Sequence, residues 1–199
     1  MASSATRAPE RAKAAPGRAD PETHLFADDG VFPNSRLPVL IYRGVLEVPD
    51  ATVFEQMFAT NGWSSAWRNG LYSVHHYHST AHEVLGIYGG RVTARLGGGQ
   101  GTSVTLVAGD VVVIPAGIAH KNDGASPDFR VVGAYPVGTS PDMQYGKPGE
   151  RPGTDRNIAR VLLPAADPVH GPGGPLLQAW KPLIAAPPPV AGRVRRPVP

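Results

Sequence analysis

Five of the seven histidines in this 199-residue chain are His75, His76, His78, His82 and His120, and the first four stand within eight positions beside Glu83. The chain has no cysteine, so imidazole and carboxylate form the ligand set for zinc, iron, manganese, nickel or copper. Residues two apart on a strand project from one face, so His76 and His78 point together and His75 points the other way. An unbroken strand would place His82 on the face of His76 and His78 and leave Glu83 on the opposite one. Glu83 joins the two histidines only where the chain turns or bulges at Ser79-Thr80-Ala81, whose hydroxyls can bond back to the local backbone. Spacing leaves both arrangements open: His82 could be a ligand, a hydrogen-bond partner of Glu83, or a surface residue. His24 and His170 fall in loop-like surroundings and take no role.

Positioning such a cluster calls for short strands and tight turns. The 24 glycines and 22 prolines bunch into short turns and into both ends of the chain, a load that helix-rich proteins rarely tolerate. From Gly70 to Pro136 the runs 71–78, 83–88, 91–96, 103–107, 111–114 and 129–135 read as strands, separated by turns such as Gly89-Gly90 and Pro115-Ala116-Gly117. Several short strands without intervening helices indicate one antiparallel sandwich or barrel rather than βαβ units. Ahead of it, 37–43 reads as a strand. Asp50 then caps a helix that carries Val53, Phe54, Met57 and Phe58 at helical spacing, and Asn61-Gly62 ends it. Trp63 and Trp67 read as aromatic lids on the core. The segments 161–163 and 176–180 read as late strands or docking segments. Residues 1–23, rich in Ala, Arg and Pro, read as a disordered leader, 24–182 as the folded domain with its barrel core near 70–136, and 183–199 as a disordered Pro/Arg-rich tail.

Two spaced motifs carry a family resemblance. Gly70-x5-His76-x-His78-x4-Glu83-x6-Gly90 resembles the first cupin motif, and Gly109-x5-Pro115-x-Gly117-x2-His120 most of the second. The departure is Gly124, where an Asn is expected; Asn122 stands two residues earlier. More narrowly, the stretch from His76 to Gly86, with Ala108-Gly-Asp-Val, Pro115-Ala-Gly117 and Val132-Gly-Ala-Tyr-Pro136, is similar to the YjlB-like bacterial cupins over about residues 24–182. The resemblance implies an all-β fold, a single cupin jelly-roll barrel with a short N-terminal helix. It also implies that His76, His78, Glu83 and His120 converge on one divalent ion (Fe, Mn, Ni or Zn), with Glu83 favoured over His82. His82, Tyr88 and Arg91 are candidates for supporting positions around it, and Arg91, Arg95 and Tyr88 could orient an anionic substrate.

Three imidazoles and one carboxylate leave a divalent ion a net positive charge and open positions for a bidentate oxygen ligand or for substrate and dioxygen together. The expected function is a metal-dependent enzyme acting on a small oxygenated molecule, dioxygenase-like chemistry ahead of isomerase or decarboxylase chemistry. The alternative is a non-catalytic metal-containing module that binds a sugar or organic acid. The net charge of +3 rests largely on arginines in the leader and tail, so nucleic-acid binding is not expected. The glycine clusters lack the Lys-Ser/Thr and helix start of a phosphate loop and read as hairpin turns. No apolar run approaches the ~20 residues of a membrane span, and no signal-type stretch opens the chain. A cytoplasmic protein is the expectation. Cupin habit adds a homodimer, with the N-terminal strand as the candidate for sheet extension.

Overall fold

In the computed structural model the described residues are 20–181; the tail 183–199 and all but the last residues of the leader lie outside them. Strands β1 (Glu22–Phe26) and β2 (Ser35–Tyr42) precede helix α1 (Ala51–Thr60). Strand β3 (Trp63–Asn69) follows, then β4 (Glu83–Gly89), β5 (Arg91–Leu96), β6 (Thr102–Val107), β7 (Val111–Ile114), β8 (His120–Ala125) and β9 (Arg130–Pro136). Two short helices close the order, α2 (Gly153–Ile158) and α3 (Pro175–Ala179). The strand pairings among the described residues are antiparallel, in a six-stranded sheet ordered β1-β2-β7-β4-β9-β3 and a three-stranded sheet ordered β6-β5-β8. This is the all-β jelly roll expected from the motifs. No helix among the described residues is long and apolar enough to cross a membrane.

The larger sheet is covered on both faces. Inward residues Val39, Leu85, Ile87, Val112 and Val131 pack against Val92, Leu96 and Leu106 of the smaller sheet. Outward residues Leu40, Val84, Val113, Val132 and Ala134 pack beneath Phe54 and Phe58 of α1 and beneath Trp63, Leu176 and Trp180. Burial on both faces explains why β7 is an unbroken apolar run. The smaller sheet has one wet face, and β5 accordingly alternates exposed Arg91 and half-buried Thr93 and Arg95 with buried Val92, Ala94 and Leu96.

Several elements differ from the sequence reading. Glu22 and Thr23, placed in the leader, already pair with Ile41 and Leu40. The segment of Trp63 and Trp67, to which the sequence reading assigns no element, is strand β3 at the edge of the larger sheet. The run 71–78 is not a strand; it carries isolated bridges, His76 to His120 and Tyr77 to Gln144, and accepts single backbone bonds at Tyr72 and His78. Residues 176–180 lie in and just after the single-turn helix α3, and 161–163 form a loop. Asp50 caps α1 as expected, accepting bonds from the backbone N–H groups of Thr52 and Val53 at 2.7 and 3.0 Å. Gly124 sits in β8, where the register against β5 shifts, and its N–H donates to Asn122 Oδ1 at 2.7 Å.

Candidate metal centre

Three loci deliver the site. His76 and His78 come from the 71–78 segment, His120 from the first position of β8, and Glu83 from the first position of β4. The backbones of His76 and His120 exchange both hydrogen bonds, at 3.2 and 2.9 Å, so two of the imidazoles are set side by side by main-chain pairing. Tyr77 points the other way, into a small cluster with Phe32 and Ala119. That is the period-two alternation expected of extended chain.

The chain then turns at 79–81. Asp142 holds the turn: its carboxylate accepts from the backbone N–H groups of Ser79 and Thr80 and from the Ser79 hydroxyl. Thr80 Oγ1 donates to the Ser140 carbonyl at 2.7 Å and accepts from Asp142 N–H at 3.0 Å. The turn resets the parity. Glu83 shares the inner face with Leu85 and Ile87 and meets the histidines, while His82 is turned to the outer face.

Side-chain atoms of His76, His78 and His120 that could bind a metal lie within 4.8 Å of one another. Glu83 Oε1 is 3.5 Å from His78 Nε2, and Oε2 is 3.2 Å from His120 Nε2. All four side chains are at most 5% exposed. Each histidine Nδ1 faces a backbone carbonyl: Val74 for His76 at 3.2 Å, Ile118 for His120 at 3.0 Å, and Asp142 for His78. Those carbonyls can only accept, so each Nδ1 carries a proton, and in a neutral ring Nε2 presents its lone pair inward. His120 Nε2 and Glu83 Oε2 are buried 3.2 Å apart, and neither has any other polar partner among the described residues. Buried polar atoms are rarely left so, and a bound cation would satisfy both. The donor set fits a metal ion.

The electrostatics divide the histidines: burial opposes protonation of His78, but the Glu83 carboxylate outweighs it and raises the His78 pKa. Burial, with His120 adding to it, lowers the His76 pKa to about 3, so its ring is neutral. At Glu83 burial opposes ionisation, but His78 and His120 outweigh it and hold the carboxyl well below its usual range. Tyr135 donates to Glu83 Oε1 at 3.1 Å and accepts from Trp67 Nε1–H at 2.9 Å. Burial and the Glu83 charge raise the Tyr135 pKa, so the phenol stays protonated and keeps donating.

A relative from Bacillus subtilis (strain 168), described as "Uncharacterized protein YjlB", is 41% identical over 160 residues, which covers 80% of this chain and 96% of that protein. The chain belongs to the YjlB-like cupins. No family model matches it. Among solved structures, an uncharacterized conserved protein with a double-stranded beta-helix domain from Klebsiella pneumoniae is 16% identical, over 67% of this YjlB-like cupin and 85% of that chain, with a TM-score of 0.31. Procruciferin, an 11S globulin from Brassica napus, is 14% identical over 59% of this chain, with a TM-score of 0.34. The YjlB-like cupin spans only 30% of the globulin's length.

The supporting residues expected from sequence are not at the site. His82 packs its ring on Trp180, 4.7 Å between centroids, on the face of the sheet away from the other histidines. Tyr88 packs against the outer apolar cluster, and Arg91 and Arg95 lie on the wet side of the smaller sheet, where Arg95 pairs with Asp123. Tyr135 and Trp67 take their place. Tyr135 follows Val131 and Gly133 on the inner face of β9, and an aromatic with a polar tip in a strand of small residues was the available signal. His75 packs on Phe32, away from the cluster.

His82 carries a pH dependence of its own. Its Nδ1 accepts the Ala116 N–H at 3.0 Å, and burial lowers its pKa to about 4. Between pH 6.5 and 4 the unfolded chain binds this proton and the folded chain does not, so stability is full above pH 6.5 and falls as pH drops. The loss approaches about 3 kcal/mol for a shift of this size. His82→Asn keeps an acceptor for Ala116 and cannot be protonated. Urea unfolding at pH 7 and pH 4.5 should show a smaller drop for the variant; an equal drop would place the acid sensitivity elsewhere.

Proposed function

We propose that this cupin is a metal-dependent enzyme acting on a small oxygenated organic molecule, with dioxygenase-like chemistry ahead of isomerase or decarboxylase chemistry. The observation that carries the reading is the set of Nε2 lone pairs and the Glu83 carboxylate aimed inward at the floor of a cavity of about 270 Å³. A divalent ion held by His76, His78, Glu83 and His120 would supply Lewis-acid and redox chemistry to an oxygen-bearing substrate. The chain's own residues orient and exclude. The carbonyls of Val74, Asp142 and Ile118 fix the three imidazoles, Tyr135 fixes the carboxylate, and Trp67, Leu71 and Met143 keep water from the floor.

Oxygen chemistry is favoured over proton transfer because, among the described residues lining the cavity outside the ligand set, the acid–base groups are Tyr72 at the exposed rim, Tyr135 and Arg68. Tyr135 spends its proton on Glu83, and Arg68 is tied to Glu55. An isomerase or decarboxylase would want a base or acid within reach of the substrate.

Elemental analysis of protein purified without added metal should find close to one ion per chain, and oxygen uptake with a panel of diketones, thiols and hydroxy acids should identify a turnover partner. Ligand-induced thermal shifts without oxygen uptake or isomerisation would instead support a binding module. Tyr135→Phe should leave the fold intact and weaken metal binding about 10–100-fold, the usual effect of losing a group that orients a ligand. An unchanged affinity in a chelator competition would remove Tyr135 from the site.

A further inference from the structure

We infer that the cavity selects a compact, flat and largely apolar molecule with a pair of oxygens at one end and no other charge; this rests on the metal reading of its floor. The walls are Trp67, Leu71, Tyr72 and Met143. Trp67 Nε1–H goes to Tyr135, Asn69 Oδ1 accepts the Gly70 N–H at 2.8 Å, and the Tyr72 hydroxyl belongs to an exposed side chain at the rim. A polyhydroxylated sugar would bury hydroxyls against Trp67, Leu71 and Met143 without partners, which is costly.

Charge points the same way. Among the described residues, Arg68 is the one lysine or arginine lining the cavity. Its Nε and Nη2 bond both oxygens of Glu55, at 2.7 and 2.8 Å, and Nη2 also reaches Thr52. A phosphate or second carboxylate entering the cavity would meet a neutralised guanidinium. The volume of about 270 Å³ falls just under the ~300–1,000 Å³ of pockets for drug-sized ligands, a size that suits a compact molecule better than a nucleotide sugar. Flatness comes from the two aromatic walls, which favour stacking. Gly133 makes room for the indole, since a Cβ there would collide with the Trp67 ring.

The test uses the full-length chain loaded with Zn(II), so that binding is read without turnover. Benzoylacetone and acetylacetone share one oxygen pair and differ in the body attached to it. By calorimetry, benzoylacetone should bind at least about tenfold more tightly than acetylacetone, and oxalate and glucose 6-phosphate more weakly than either. Tyr72→Ser, at a 56% exposed position that the fold tolerates, should narrow the preference to within about threefold while zinc content stays the same. Equal binding of the two diketones, or tighter binding of oxalate or the sugar phosphate, overturns the inference and leaves the metal site standing. A chain that takes up no zinc, or binds every probe equally after metal removal, sinks both.

Discussion

Replacing His120 by alanine is expected to cut bound metal from near one ion per chain to below about a tenth. Structural metal sites contribute about 10–16 kcal/mol in total, so one ligand of four accounts for about 2.5–4 kcal/mol, or roughly 10²–10³ in affinity. His120 is the sharpest test because its place in the fold does not depend on its ring. The backbone bonds to His76 survive the substitution. Glu83→Gln should match the loss, since it keeps shape and burial and removes the charge. His82→Ala should retain metal, because His82 faces Trp180 on the other side of the sheet. Elemental analysis and competition with a calibrated chelator give both numbers. Metal that survives in His120→Ala, or disappears in His82→Ala, would overturn the ligand set.

Asp167→Ala is expected to destabilise the protein by about 3–5 kcal/mol, the range for removing one partner from a buried charged network. Asp167 is fully buried. Its Oδ1 accepts the backbone N–H groups of Val169 and His170 at 2.8 and 3.0 Å, and its Oδ2 accepts the Tyr42 hydroxyl at 2.6 Å and the Leu176 N–H at 3.0 Å. Alanine leaves these donors without their carboxylate, and each buried unsatisfied donor costs about 1–3 kcal/mol. Asp167→Asn retains one acceptor oxygen and should lose roughly half as much. The consequence is local first. Asp167 fastens the segment that carries Leu176 and Trp180 to the outer face of the larger sheet, so tryptophan fluorescence and the urea midpoint should shift together. Metal content should hold under native conditions, because the site lies on the inner face. A variant as stable as the wild type would show that another contact holds the segment down.

The legible parts of this protein were those that local physics decides. Helix α1 could be read because its cap and its apolar face are both specified within a dozen residues. Strands β4 to β7 could be read because turns bracket them. Strand β3 was hidden by a polar sequence, with Ser65 at φ 55° inside a register shift against β9. Strand β8, His-Lys-Asn-Asp-Gly-Ala, has little strand propensity and is held by its pairing with β5. Conversely, 71–78 looked like a strand, but it carries isolated bridges at His76 and Tyr77 rather than a ladder.

For the site, spacing alone brought His76 and His78 to one face, since adjacent alternation needs no tertiary information. The joining of His120 to them rested on motif resemblance. Glu83 against His82 could not be settled by counting, because β4 is apolar on both faces and shows no alternation to reveal its inner side. That choice belongs to Asp142, 59 residues after Glu83 in the chain, whose carboxylate holds the 79–81 turn. Tyr135 left a signal in its strand, but the hydrogen bonds that give Tyr135 and Trp67 their roles join strands remote in sequence. The sequence by itself determined the ligand types, the paired histidines and the alternating frame that aims them. Only the tertiary structure decided which acid completes the group and what supports it, because turns closed by distant residues and a sheet buried on both sides leave no local periodicity to read.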